Sequence, residues 1–300
     1  MNIQIKLAII AIGVIIPLAC LAVFQTNSNS QFSSTDNSKL QVITSAHFLH
    51  EFSQNIGNEM IDVTLLVPMG VDPHDWEPTI KDTERIQKSD LIIINGISYE
   101  HWIDSIYTSN YQGIIVDTSN GILLDHTDDD DHDSLDPHIW LNPVYAQLQI
   151  KNIANALSDS DPTNENHYQS NAEIYIKELD LLDSKIRNDL SECKTNFVTF
   201  HNAFSYFSKE YGLTQHTIIS SNNSHGEVTP QTLENIISTA KKLNIKVIFA
   251  EESSSTKTSQ VIADEIGGKV LVLSPLEITS IDNYISKMTQ NLENLKEALC

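Results

Sequence analysis

Short apolar runs alternate with amphipathic segments along most of this chain. The runs Leu40–Thr44, Ile61–Val67, Leu91–Asn95 and Ile114–Val116 predict buried strands. Segments near His47–Gly57, Thr79–Lys88, Glu100–Thr108 and Pro143–Leu157 carry apolar residues at helical spacing. Alternation of this kind indicates βα units around a parallel sheet. The rhythm returns with a strand at Asn196–Phe200 and a helix at Ala203–Tyr211 that stops at Gly212. Next comes a helix at Pro230–Leu243, which Thr229 is suited to cap and Pro230 to open. A strand at Ile245–Ala250, a helix near Lys257–Ile266 and a strand at Lys269–Leu273 come after it. A last helix carries Ile281, Ile285, Met288, Leu292, Leu295 and Leu299.

The segment between these halves has a different character. Thr163 to Lys194 contains no Gly or Pro, and Tyr168, Ala172, Tyr175, Leu179, Leu182, Ile186 and Leu190 recur three or four residues apart. The spacing predicts one helix of about 30 residues, roughly 45 Å long at 1.5 Å per residue. The expected fold class is therefore α/β: two lobes, each a parallel sheet flanked by helices, joined by one long backbone helix. The expected divisions are 39–162 for the N-terminal lobe, 163–193 for the connecting helix and 194–300 for the C-terminal lobe. A single stiff connector predicts limited hinge motion.

Ahead of this globule, Lys6 precedes an apolar run from Leu7 to Phe24. Residues 1–24 read as a secretory signal or membrane anchor, or as a signal ending in a lipidated Cys20. Each alternative exports the rest of the chain, because the positive charge lies on the short side. Residues 25–38 are polar and read as a flexible linker. The chain is thus expected outside the cytosol, tethered to the outer face of the cytoplasmic membrane. In that setting Cys193 and Cys300 are able to pair, or stand as two free thiols. No CxxC spacing exists, which argues against a thiolate zinc site.

Charge narrows the partners. Forty acidic residues against 18 basic ones leave a formal net charge of −22. Such a surface repels nucleic acid and anionic lipid but attracts cations. Part of the acid is concentrated in Asp125–Asp133, a run of Asp interrupted by His126 and His132. That run cannot pack. It reads as a loop for transient capture of divalent metal, or as a solvated acidic loop with no binding task.

Three other His residues stand where chemistry is expected. His74 lies after the strand Ile61–Val67, His138 closes a second Asp-Pro-His tripeptide, and His201 directly succeeds the strand Asn196–Phe200. Ligands of open α/β sheets bind beyond the carboxyl ends of the strands, where these imidazoles could converge. Any one alone is better explained as a surface or core residue, and the three together reverse that preference. Three together suit zinc better than calcium or magnesium, and manganese calls for more carboxylate. The fourth position is left to water or an acid. Glu251, at the end of Ile245–Ala250, is the best-placed candidate, ahead of Glu252, Glu227 and Glu277. Trp76, Trp102 and Trp140 are expected to pack around the lobe interface.

The stretches LVPMGVDPHDWEPT, DLIIINGISYEHWID, DPHIWLNPVYA, DPTNENHYQSNAEIY, TFHNAFSYFSKEYGL, EVTPQTLENII, KVIFAEE and KVLVLSPLE together resemble a known family. It is that of the metal-binding substrate-binding proteins of ABC importers (cluster A-I, periplasmic solute-binding protein family 9), specifically its zinc-type members. The resemblance runs from about Gln41 to the C-terminus. It implies that His74, His138 and His201 are metal ligands and that zinc is the transported ligand, with manganese less favoured. A His- and acid-rich loop before the second ligand is typical of zinc-type members. The chain departs from the family at Ser274, where Asp before Pro-Leu is frequent. A hydroxyl is a poor zinc ligand, so three His plus water, or three His plus Glu251, is the expected set.

The function implied is an extracytoplasmic zinc receptor that delivers metal to an ABC permease, as a monomer and not as an enzyme. The alternatives are a manganese-type receptor, a metal-dependent adhesion protein and a zinc hydrolase. The last fits three His and a water, but the chain lacks HExxH and a clearly placed general base.

Overall fold

In a computed structural model, residues 39–68, 70–124, 135–219, 228–252, 256–278 and 282–300 are described. The expected N-terminal signal and linker, the loop residues His126 and His132, and Glu227 lie outside the described residues.

The first sheet is built from β1 (Leu40–Thr44), β2 (Ile61–Leu65), β3 (Leu91–Ile94) and β4 (Ile114–Asp117). All pairs are parallel, in the order β2-β1-β3-β4. The continuous apolar run of β3 is explained by burial on both faces. Crossovers are made by α1 (His47–Gly57), α2 (Ile80–Ile86) and α3 (Ile103–Tyr107). Thr79 starts α2 with a reciprocal capping box to Asp82.

The second sheet repeats this plan. β5 (Asn196–Thr199), β6 (Thr214–Thr217), β7 (Val247–Ala250) and β8 (Lys269–Val272) are parallel in the order β6-β5-β7-β8. Two helices precede this sheet in sequence and are numbered α4 (Pro143–Ser160) and α5 (Glu165–Leu190). The crossovers within it are α6 (Ser205–Tyr211), α7 (Pro230–Lys242) and α8 (Thr256–Ile266), and α9 (Tyr284–Leu299) ends the chain. Thr229 caps α7 by accepting from the Thr232 amide, as expected. β6, with the sequence TQHT, is a strand that apolar patterning passes over. It lies at a sheet edge, none of its residues is fully buried, and pairing with β5 rather than burial defines it.

Asn142 caps α4, and a 3₁₀ turn at Pro162–Asn164 reverses the chain into α5. The buried residues of α5 are the seven that recur in the sequence, from Tyr168 to Leu190. Its 26 residues span about 39 Å. α5 packs on α4, α1, α6 and α9, so it touches elements of both halves.

One hydrophobic core runs through Phe48, Phe52, Trp140, the α5 stripe, Phe197, Phe207 and Leu292, and therefore joins the two sheets. Separate cores cover the other face of each sheet. Trp76 and Trp102 correct the expectation for the tryptophans. They pair edge to face at 5.7 Å inside the outer core of the first sheet, and only Trp140 lies in the shared core. Cys193 and Cys300 form a disulfide across 107 residues, linking the segment after α5 to the end of α9. Among the described residues, no helix is long and apolar enough to cross a membrane.

Candidate metal centre

Four buried side chains converge from loops of both halves. His74 comes after β2, His138 precedes a 3₁₀ turn at Ile139–Leu141 that leads into α4, His201 comes after β5, and Glu277 comes after β8. Strand order reverses between β1 and β3 and again between β5 and β7, which opens a crevice at the carboxyl ends of each sheet.

Oε1 of Glu277 lies 2.9 Å from Nε2 of His74, 2.9 Å from Nε2 of His138 and 3.7 Å from Nε2 of His201. The Nε2 atoms of His138 and His201 are 3.3 Å apart. A tetrahedral zinc ion with Zn–N bonds of 2.0–2.1 Å holds its ligand atoms about 3.3 Å from one another. Three imidazole nitrogens and one carboxylate oxygen converge here, and His201, outside the group whose ligand atoms all lie within 4.8 Å of one another, would have to move towards His74 to complete a tetrahedral set. Among the described residues, His74, His138 and Glu277 present ligand atoms that all lie within 4.8 Å of one another. Oε2 of Glu277 is buried without a hydrogen-bond partner there, as suits a carboxylate with bonding capacity left for a cation.

The rings of His138 and His201 are oriented from behind. Nδ1 of His138 meets Oδ1 of Asp136 at 2.7 Å, and the His138 amide donates to the same oxygen at 3.0 Å. Ser205 donates to the other Asp136 oxygen, and the Tyr206 hydroxyl donates to the Asp136 carbonyl at 2.9 Å. Nδ1 of His201 meets Oε1 of Glu251 at 2.7 Å, with the His201 amide donating there at 3.1 Å. These contacts leave both Nε2 atoms facing the centre, the carboxylate–imidazole arrangement of metal sites. Asp72 serves His74 differently, accepting from its amide at 2.9 Å.

Glu251, the best-placed fourth ligand from sequence, is thus set on the far nitrogen of His201. Glu277, a weaker candidate in the sequence, stands among the three Nε2 atoms. Ser274 points away, donating to Glu252 at 2.8 Å. Leu276, just before Glu277, has a φ of 58°, in the left-handed region. Among the remaining described histidines, His47, His50, His101, His167 and His216 stay outside the cluster.

Protonation is set by this geometry. Burial pushes the His201 ring down, but bonds and charge from Glu251 and Glu277 lift it to about 10. Burial likewise opposes the charge on His138, and Asp136 and Glu277 raise it above the ordinary histidine value. Burial raises the Glu277 carboxyl, and bonds from His138, His201 and His74 more than reverse this, holding it well below the usual range. Without metal, protons hold the cluster together as a charged network.

A two-lobed α/β protein with converging imidazoles at its strand ends belongs to the substrate-binding class of metal importers. The chain is a member of the family described as "Zinc-uptake complex component A periplasmic", which it matches over residues 42–298. It is 37% identical to the High-affinity zinc uptake system protein ZnuA of Bacillus subtilis, covering 96% of this chain and 97% of that one. It is 32% identical to the Zinc-binding lipoprotein AdcA of Streptococcus pneumoniae over 86% of this chain, and it spans 56% of that longer protein. Among solved structures, a ZnuA deletion mutant with zinc bound is similar at a TM-score of 0.79 and 28% identity, over 87% of this chain and 98% of that one. The laminin-binding protein of Streptococcus agalactiae, described as having adhesin and metal-transporting activity, is similar at 0.81 and 29%, over 87% and 99%.

Proposed function

We propose that the chain is an extracytoplasmic zinc receptor that passes its ion to an ABC permease. It would hold zinc through Nε2 of His74, His138 and His201 and a carboxylate oxygen of Glu277. The observation that carries this reading is the meeting of three imidazole nitrogens from different loops on one buried carboxylate. Family membership and the zinc-uptake relatives support the cargo and the partner. The donor set supports zinc over manganese, since three nitrogens and one oxygen suit tetrahedral zinc and hard, oxygen-seeking ions are poorly served. Four protein ligands leave no open position for an activated water, which favours binding over hydrolysis. The lipoprotein relatives and the apolar run Leu7–Phe24 support tethering outside the cytoplasmic membrane. The receptor acts as a monomer in this reading.

Titration of the Lys39–Cys300 unit with zinc and manganese at neutral pH tests it. One tight zinc site is expected, weakened at least tenfold in each of His74→Ala, His138→Ala, His201→Ala and Glu277→Ala, on the order of one lost ligand. Zinc binding no tighter than calcium binding overturns the reading.

A further inference from the structure

Trp140 is fully buried and links the two halves of the centre. It lies two residues after His138. Its indole Nε1 donates at 2.8 Å to the carbonyl of Pro275, two residues before Glu277. Its ring stacks on Phe48 at 4.4 Å and leans on His138 at 5.1 Å and on Tyr99 at 5.1 Å. Its own carbonyl accepts from the Tyr284 hydroxyl at 2.6 Å. Tyr284 is fixed in turn, since its amide donates to both oxygens of Glu51 at 3.0 and 2.8 Å. One side chain is therefore locked by the first half and grips the main chain of a second-half loop.

The gripped loop is in an unfavourable conformation. Leu276, between Pro275 and Glu277, has φ 58°. A bulky side chain rarely takes that conformation unless its surroundings hold it. The Leu276 amide donates to Ser274 Oγ at 3.3 Å, and Asn291 of α9 bonds both the amide and the carbonyl of Ser274. Those contacts hold the near end of the loop. The Trp140 bond ties its middle to the half carrying His74 and His138, beside the contacts that Glu277 itself makes.

We propose that Trp140 is a positioning residue for metal binding, whose indole N–H holds the Pro275 carbonyl so that Leu276 stays turned and Glu277 stays against Nε2 of His138. The proposal rests on Glu277 being a zinc ligand of the receptor. Phenylalanine would fill much of the same space but leave the Pro275 carbonyl unheld.

The test is a double-mutant cycle in zinc affinity and zinc dissociation rate, using the full chain and a competing chelator. The proteins are the parent, Trp140→Phe, Glu277→Gln and the double variant. Trp140→Phe is expected to weaken zinc binding about 10- to 100-fold in the parent, as other residues behind a metal ligand do. In the Glu277→Gln background its effect should shrink to within about threefold, because it acts through that residue. Equal losses in both backgrounds reduce Trp140 to a packing residue and overturn the proposal. A parent with tight zinc and a Trp140→Phe variant that binds as tightly overturns it while leaving the ligand set standing. A parent with no tight zinc site brings down both. If Trp140→Phe does not fold, Tyr284→Phe, which frees the Trp140 carbonyl, enters the same cycle. A smaller loss that vanishes with Glu277→Gln is then expected, and additivity again refutes it.

Discussion

Zinc bound by the proposed ligands would have to displace protons, and the geometry sets how many. Zinc takes neutral imidazole. At pH 7 the His201 ring, lifted to about 10 by Glu251 and Glu277 against its burial, carries a proton. Removing it three pH units below its titration costs about 4 kcal/mol. His138 is raised as well, by Asp136 and Glu277. The metal-free form thus releases between one and two protons on loading. Each released proton changes the zinc dissociation constant tenfold per pH unit, so lowering the pH from 8 to 6 should weaken binding by about 10²- to 10⁴-fold. Calorimetry in two buffers of different ionisation enthalpy counts the protons directly, and chelator competition across that range measures the slope. Glu277→Gln should weaken zinc and also flatten the slope, because it removes the charge that favours protonated His201. A dissociation constant that is flat between pH 6 and 8, with no proton release, would refute the charged network.

The same network has a sign for stability. A histidine whose folded value rises from 6.5 to about 10 stabilises the fold fully below 6.5, and this is lost as pH climbs through 10. A carboxyl lowered from 4.5 stabilises the fold above 4.5, and this is lost on acidification. The metal-free protein should therefore melt highest between the ordinary carboxylate and histidine values, 4.5 and 6.5, and lose stability towards alkaline pH. The zinc-loaded protein, with its imidazoles neutral, should not show that alkaline loss. Differential scanning calorimetry of both forms across this range checks it.

Two further outcomes separate support from ligation and core from staple. Glu251→Gln should weaken zinc about 10-fold while the site still binds one ion through the same four residues, and X-ray absorption showing a lost oxygen ligand would instead make Glu251 a ligand. Replacing both Cys193 and Cys300 with Ser opens a loop of 107 residues, which should lower unfolding stability by about 4–5 kcal/mol on chain-entropy grounds. Denaturant melts measure this. Zinc affinity should be unchanged, since Cys193 precedes β5 while His201 follows it, and Cys300 ends α9.

Most of the fold is written in local pattern. The inner strands β1, β3, β5 and β7 show as apolar runs because most of their side chains are buried, and the edge strands β2, β4 and β8 show through their β-branched and aliphatic residues although most of these are only partly covered. The α5 stripe shows because one face of a straight helix packs along its whole length. β6 does not show, because an edge strand of Thr, Gln and His is held by backbone pairing, which leaves no apolar trace. The three His residues could be found as candidates from their position after strands and from the repeated Asp-Pro-His. The role of Glu277 could not be separated from that of Glu251 by such means. Glu251 is nearer a strand end, yet its oxygen turns back to the amide and Nδ1 of His201 in its own half. Glu277 reaches the other half from a loop in which Leu276 has a left-handed φ, and nothing in the sequence Ser-Pro-Leu-Glu announces one. The Trp residues fail for a related reason: apolar bulk marks burial but not which core receives it.

The division of labour across the two halves gives the centre its character. The first half supplies His74 and His138 and orients His138 with Asp136. The second supplies His201 and orients it with Glu251. Each half thus holds an imidazole by means of its own acid, and Asp136 is in turn held by Ser205 and Tyr206 of the second half. Glu277 is the group that crosses, accepting from both histidines of the first half while anchored to the second. Trp140 crosses in the opposite direction and meets the same loop two residues earlier. Since one core and one helix already join the sheets, bringing the ligands together asks little of the lobes and much of the Pro275–Glu277 loop. With the proposed ligands, selectivity for a small tetrahedral ion would depend on how firmly that loop is held, because a carboxylate free to swing would also serve larger, oxygen-seeking cations.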